Sequence, residues 1–403
     1  MSLLVQKFGG SSVVDADRIR AVAEHIARTK RDGDDVVVVV SAMGKTTDQL
    51  IRLADDVSSV QPAREVDMLL SAGERISMSL LCMALAGLGV EATSFTGSQA
   101  GIITDAVHSR AKILEIRADR LEATLAGGGV PVVAGFQGVS IDRDITTLGR
   151  GGSDTTAVAL AAVLGADVCE IYTDVSGVFS ADPRIVPEAH RLARVSYEEM
   201  LEISASGGRV LMLRSVEFAR NHQVALHVRS SFSWEPGTWV VEEDASMEEA
   251  IVTAVTHDVS EAKVTVIGVP DRPGLAARLF RGLAERNVNV DMIVQNTSLH
   301  GTTDISFTVP GYDLAVSAEV CEALVPELGA IGVTSDSDVA RVSLVGAGMK
   351  THPGVTALTF ETLASEGINI EMISTSSIRI SCVVRAEAAE VAVRALHAAF
   401  ELS

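Results

Sequence analysis

Val5–Val13 reads VQKFGGSSV. An apolar strand delivers Lys7 into a turn where Gly9 and Gly10 let the backbone approach a neighbour closely, and Ser11 and Ser12 offer hydroxyls. Two readings are open at this point: a cradle for a phosphate, or a sharp turn that carries a lysine. The other segments choose between them.

From the N-terminus to about residue 240, short β-branched runs (LLVQKF, DVVVVVSA, VPVVAGF, DVCEIYTDV, VALHVRS) alternate with helical patterns such as Ala16–Lys30. That rhythm predicts an α/β fold, a mostly parallel sheet between helix layers. Val36–Val40 has no polar alternation, as expected of a central strand buried on both faces. Ligands of such sheets bind at the carboxyl ends of strands, where Gly9 stands.

Three further segments carry the residue types that phosphate chemistry needs. SAMGKTTDQ, Ser41–Gln49, follows the buried strand; its GKTT is not a P-loop, because that motif needs glycine where Val39 stands. TTLGRGGSDTTA, Thr146–Ala157, precedes an apolar helical pattern and fails the dinucleotide fingerprint, since Asp154 holds the place of the last glycine. Its Arg150 offers a planar fork for two carboxylate oxygens, the N–H groups of Gly151, Gly152 and Ser153 face a helix start, and Asp154 can orient a lysine. IYTDVSGVFSADPR, Ile171–Arg184, ends a strand in Thr173 and Asp174 and turns to Asp182; these acids can meet a nucleotide or its magnesium, or cap turns. Glu74 in SAGERIS stands at a helix start, where it can receive an ammonium group or complement the helix dipole.

WEPGTWVVEEDASMEEA interrupts the α/β pattern and places a boundary near residues 240–250. Beyond it the sequence repeats: Val264–Val309 can be laid over Val342–Val384, each with a strand, a Pro-Gly pair, an amphipathic helix, an asparagine and further strands. Two such units predict a pair of small ferredoxin-like βαββαβ modules. Pro273–Gly274 and Pro353–Gly354 each precede a helix whose unpaired N–H groups suit a carboxylate, though Pro and Gly also simply start helices.

The whole chain agrees with these parts. Its 403 residues, 47% hydrophobic and 21% charged, suffice for two or three domains with large cores. A net charge of -20 disfavours nucleic acid, whose binding rests on basic side chains. Cys82, Cys169, Cys321 and Cys382 lie far apart without zinc-ligand spacing, as reduced core residues would. No export signal or membrane span is read in the sequence, so a cytoplasmic protein is expected.

VQKFGGSSV, SAMG, SAGERIS, TTLGRGGSDTTA and YTDVSGVFSADPR, in this order and followed by twin modules, resemble the aspartate kinases of the amino-acid kinase family, of the single-function bacterial type. The resemblance covers essentially the whole chain. It implies a catalytic domain over residues 1–245 and two ACT regions, 246–335 and 336–403. It implies transfer of the ATP γ-phosphoryl group to the side-chain carboxylate of L-aspartate, toward lysine, threonine and methionine, with Mg2+ carried by ATP. Lys7, Gly9 and Gly10 would steady the phosphoryl group, and Asp154 would hold the cations in register. Arg150 would clamp the α-carboxylate and Glu74 the α-ammonium, with Thr47, Gly151, Gly152 and Ser153 completing the pocket. Phe8, Ser41, Thr173, Asp174, Phe179, Ser180, Ala181, Asp182, Pro183, Arg184 and Arg209 would contact the nucleotide.

Arg209 stands where this family usually has lysine, a broad fork replacing a compact ammonium. End-product amino acids, lysine or threonine or both, would bind Asp271, Arg272, Pro273, Gly274, Leu275, Ala276, Asn289, Val290, Asp291 and Gln295 in the first module. In the second they would meet Val355, Thr356, Asn369, Ile370, Ser376 and Ser377. The modules would form a homodimer interface, and Met247 offers an internal start for a separate regulatory subunit. Rival readings are a kinase for another small amino acid and a non-catalytic amino-acid sensor.

Overall fold

The computed structural model describes residues 2–208, 210–233, 235–243, 251–296 and 301–402. Arg209 and Met247 lie outside them. The chain forms two compact units: Met1–Val178 with Arg191–Ser204 and Arg209–Ala245, and Phe179–His190 with Ala205–Gly208 and Ser246–Ser403. Two segments from inside residues 1–245 therefore pack with the C-terminal part.

The first unit opens with β1 (Leu3–Phe8), α1 (Ala16–Arg31), β2 (Asp35–Val40), α2 (Thr46–Val57), α3 (Ala63–Leu70), α4 (Ala72–Gly87) and β3 (Ala92–Phe95). After them come β4 (Ile102–Thr104), β5 (Ile113–Ile116), α5 (Asp119–Ala126), β6 (Val130–Ala134), β7 (Gln137–Ser140), β8 (Ile145–Thr147), α6 (Gly152–Leu164) and β9 (Val168–Thr173). The last elements are β10 (Arg194–Ser196), α7 (Tyr197–Ala205), α8 (Leu213–His222), β11 (Leu226–Ser230) and β12 (Thr238–Val241).

Eight strands form the main sheet in the order β10-β12-β11-β9-β1-β2-β6-β3. Every neighbouring pair is parallel except β11 with β12. β1 registers Lys7 with Val39 on one side and Ile171 on the other. Val36–Val40 is buried throughout, as its unbroken valines require. Phe8, Val36, Val38 and Val40 pack with Ile26 of α1 and Leu81 and Leu85 of α4. Strand side chains alternate between faces, so Lys7 points the other way, toward α6. β4, β5, β7 and β8 make a small separate sheet.

Ala63–Gly87 is long and apolar enough, by length and composition, to cross a bilayer, with mean hydropathy 1.4. No such span is read in the sequence. The stretch turns at Ser71 between α3 and α4, encloses Asp67 and Glu74, and buries Met78, Leu81 and Leu85 in the unit, which is how a core helix acquires this composition.

The second unit contains β13 (Ala254–Asp258), β14 (Glu261–Pro270), α9 (Leu275–Glu285), β15 (Ile293–Gln295), β16 (Thr302–Pro310), α10 (Leu314–Leu328) and β17 (Gly332–Asp336). Then follow β18 (Val339–Val345), α11 (Gly354–Ser365), β19 (Met372–Thr375), β20 (Arg379–Arg385) and α12 (Ala389–Ala399). The first module is a contiguous βαββαβ fold with strand order β15-β16-β14-β17. The second is ordered β13-β18-β20-β19, so residues 336–403 supply only three strands and the fourth comes from β13, ahead of the first module. β13 covers the edge of β18 that β20 leaves open, with Ala254 opposite Val345. Met292 and Val294 of the first module join Val339, Met372 and Val383 of the second in one cluster.

Candidate active site

β1 lies between β2 and β9, so the loops leaving all three strands meet at its carboxyl end. There Lys7 Nζ stands 2.6 Å from Oδ1 of Asp154 in the first turn of α6, and both side chains are nearly enclosed. The Gly9 N–H donates to the Tyr172 carbonyl at 3.1 Å, and the Gly10 carbonyl accepts from the Gly44 N–H at 3.0 Å. A Cβ on Gly10 would come 2.8 Å from the Ala42 carbonyl, and one on Gly9 would sit 3.5 Å from the Lys7 ammonium. Glycine is thus required at 10 by the close approach of the Ser41–Gly44 loop. The turn belongs to a built cluster around a cation.

Glu74 enters from the first turn of α4 and is buried. Its Oε1 accepts the Ala42 N–H at 3.2 Å, while Oε2 has no hydrogen-bond partner among the described residues. Burial pushes this carboxyl up to about 7 against the smaller opposing pull of the backbone N–H groups. An enclosed carboxylate oxygen without a donor calls for a cationic ligand group. Ser77, one turn on, donates to the Ser41 carbonyl at 2.7 Å and fastens α4 to the loop after β2. Thr47 is half-buried in the first turn of α2.

Arg150 is exposed and makes no ion pair among the described residues, which leaves its guanidinium available. Gly151 follows in the left-handed region at φ 71°. The Gly152 N–H, at the start of α6, donates to the Gly149 carbonyl at 3.0 Å. A Cβ on Gly135, just past β6, would meet Ser153 Oγ at 2.7 Å, which places that loop against the start of α6.

Thr173 closes β9 and donates to Asp174 Oδ1 at 3.1 Å; Asp174 is exposed. Phe179, Ser180, Ala181, Asp182, Pro183 and Arg184 pack in the second unit. Ser180 is fully buried and its hydroxyl donates to the Leu402 carbonyl at 3.0 Å, beside His397 Nε2 at 2.9 Å. Ala181 is in that unit's core. Arg184 binds Asp182 at 2.6 Å and holds its carboxyl below the usual range. Pro183 and Arg184 are exposed.

The positions expected from the sequence to meet an effector lie at the helix starts and around the third strand of each module. Asp271, Arg272, Pro273 and Gly274 form the exposed turn before α9, which Leu275 and Ala276 begin; Asn289, Val290 and Asp291 precede β15, which Gln295 ends. In the second module Gly354 is already the first residue of α11, Val355 is buried in the core and Thr356 is exposed. Asn369 and Ile370 precede β19, and Ser376 and Ser377 follow it.

Sequence reading missed Gly135, the Ala42 N–H and the Tyr172 carbonyl. For Gly135 a signal exists, a glycine directly after a buried parallel strand; main-chain groups leave no residue signature.

Residues 2–230 match the amino acid kinase family, and residues 263–324 and 342–400 each match the ACT domain. The aspartokinase of Mycolicibacterium smegmatis is 58% identical over all of this chain and 97% of its own length. E. coli aspartokinase III in complex with aspartate and ADP (R-state) superposes with TM-score 0.84 at 26% identity, covering 98% of this chain and 99% of that one. The same enzyme with lysine and aspartate (T-state) gives TM-score 0.75 at 27% identity, with the same coverage. The chain belongs to the aspartokinases of the amino acid kinase family, with two C-terminal ACT domains.

Proposed function

We propose that the protein transfers the γ-phosphoryl group of ATP to the side-chain carboxylate of L-aspartate, giving 4-phospho-L-aspartate and ADP. The observation that carries this reading is Lys7 paired with Asp154 near the strand end, together with a Glu74 oxygen, enclosed beside the loop after β2, that lacks a donor among the described residues. The acceptor carboxylate is already ionised at neutral pH, so the reaction needs no general base. An oxygen of that carboxylate forms the bond to Pγ as the bond to the β–γ bridging oxygen breaks. Lys7 offsets the charge on the phosphoryl group in flight, and Asp154 fixes where the ammonium points. Glu74 accepts the α-ammonium and Arg150 the α-carboxylate, leaving the side chain to face Lys7. Mg2+ arrives with ATP as part of the substrate.

The ACT domains bind lysine or threonine at the positions described above and lower activity by favouring an inactive arrangement. Two copies pair through these domains; Ile293 and Ile373, 50% and 43% exposed on β15 and β19, supply apolar surface for that contact. A cytoplasmic enzyme without membrane or nucleic-acid partners fits this metabolic role. The test is trapping of the acyl phosphate with hydroxylamine: aspartyl hydroxamate forms only with both ATP and L-aspartate, and its absence refutes the proposal in favour of a sensor.

A further inference from the structure

Asp67 of α3 has 0% exposure, and its hydrogen-bond partners lie outside β1. Its carboxylate instead gathers two distant segments. Thr147, the last residue of β8, donates its hydroxyl at 2.6 Å and its N–H at 3.1 Å. Ser109 donates its N–H at 3.0 Å, and His108 Nδ1 lies 2.7 Å away. A carboxylate so enclosed survives only where protein donors replace water, and each of these is within normal hydrogen-bond range.

What the carboxylate joins is specific. On one side, α3 turns through Ser71 into α4, whose first turn carries Glu74; Gln137 pins that junction by donating to the Ser71 carbonyl at 3.1 Å. On the other side, Thr147 leads directly into Leu148–Gly151 and Arg150. Arg214 holds the same strand exit, donating to the Leu148 carbonyl and the Ala111 carbonyl, each at 3.0 Å. One buried side chain therefore ties the helix that brings the ammonium acceptor to the strand that delivers the carboxylate clamp.

We infer that Asp67 is a positioning residue that sets the spacing between Glu74 and Arg150 and so the fit of the amino-acid backbone in the pocket. The inference rests on the proposed roles of those two residues. It touches no reacting atom and acts on aspartate recognition, not on ATP. A displacement of about 1 Å in such a pair costs up to about 10²-fold in productive binding, so even a small relaxation is measurable.

The test is steady-state kinetics of full-length Asp67→Asn, Thr147→Val and Thr147→Ser proteins in the hydroxamate assay, with thermal unfolding alongside. Asp67→Asn and Thr147→Val raise the KM for L-aspartate about tenfold or more, leave the KM for ATP within about twofold, and lose discrimination against succinate, which lacks the ammonium group. Thr147→Ser keeps the hydroxyl and restores the wild-type KM. If Asp67→Asn does not fold, the Thr147 pair carries the same comparison. An unchanged aspartate KM in Thr147→Val, or equal losses for both substrates, overturns the inference while leaving the substrate assignment intact. Wild-type protein that forms no hydroxamate overturns that assignment and this inference together.

Discussion

Lys7 Nζ and Asp154 Oδ1 meet at 2.6 Å although one residue is the penultimate of β1 and the other lies in the first turn of α6. The contact aims the ammonium past Gly9, whose missing side chain leaves the approach open. Lys7→Met should lower kcat by about 10²–10³, because a preorganised charge at the developing phosphoryl anion is lost. Asp154→Asn should cost less, since the ammonium remains but is no longer held. Initial rates at saturating ATP and aspartate read both; equal kcat in wild type and Lys7→Met would remove Lys7 from the chemistry.

Glu74 makes the protein respond to pH. Its folded value, about 7, lies above the ordinary 4.5, so the folded chain holds a proton that the unfolded chain has released between those limits. Its stabilising contribution is therefore full below pH 4.5 and lost as pH rises through 7, by about 3 kcal/mol. Glu74→Gln should flatten that fall in thermal melts. In kinetics the direction reverses: ammonium binding needs the ionised acid, so kcat/KM for aspartate rises through pH 7 in wild type and not in Glu74→Gln.

Gly151 and Gly33 form a matched pair for mutagenesis. Both have positive φ, 71° and 102°, but a Cβ at 151 would lie 1.9 Å from Met212 Cγ, whereas nothing lies within 4 Å at 33. Gly33→Ala should cost only backbone strain, of order 1 kcal/mol, with normal kinetics. Gly151→Ala should melt lower still and raise the aspartate KM through the displaced Arg150 loop.

Arg341 of β18, buried in the second unit, contacts Glu261 Oε1 and the Ala205 carbonyl at 2.7 Å each and also pairs with Asp291. Burial pushes the Glu261 carboxyl up, and Arg341 opposes that. Arg341→Ala should destabilise by about 3–5 kcal/mol because it strands a buried acid, and Arg341→Met with Glu261→Gln should recover part of the loss. Asp291 stands on the loop assigned to the effector, so lysine or threonine inhibition should weaken as well. Inhibition unchanged in Arg341→Ala would detach this contact from regulation.

Much of this was legible from residue types in order. The unbroken valines of Val36–Val40 are what a doubly covered strand shows, and GRGGSDT ahead of an apolar helical pattern pointed to a loop ending at a helix. The duplicated tail showed the modules, but not that β13 belongs to the second: AVTHD has no feature that distinguishes a partner at Val345 from one nearby, because strand pairing is settled by tertiary context. Ser180 read as a nucleotide contact, yet its hydroxyl is taken by the Leu402 carbonyl, a pairing between distant segments invisible to local sequence. Asp67 carries no mark in the sequence that sets it apart from other acids. Its role depends on what Thr147 and Ser109 bring to it.

The central claim is that an oxygen of the aspartate side chain attacks the phosphoryl group steadied by Lys7. The most direct measurement is 31P NMR of phosphate released by hydroxylamine after reaction of ATP with L-aspartate carrying 18O in its side-chain carboxylate. Phosphate bearing 18O from the wild type, and about 10²–10³-fold less over the same time from Lys7→Met, is the predicted result. Phosphate without 18O from the wild type would mean that water, not aspartate, takes the phosphoryl group, and would contradict the account.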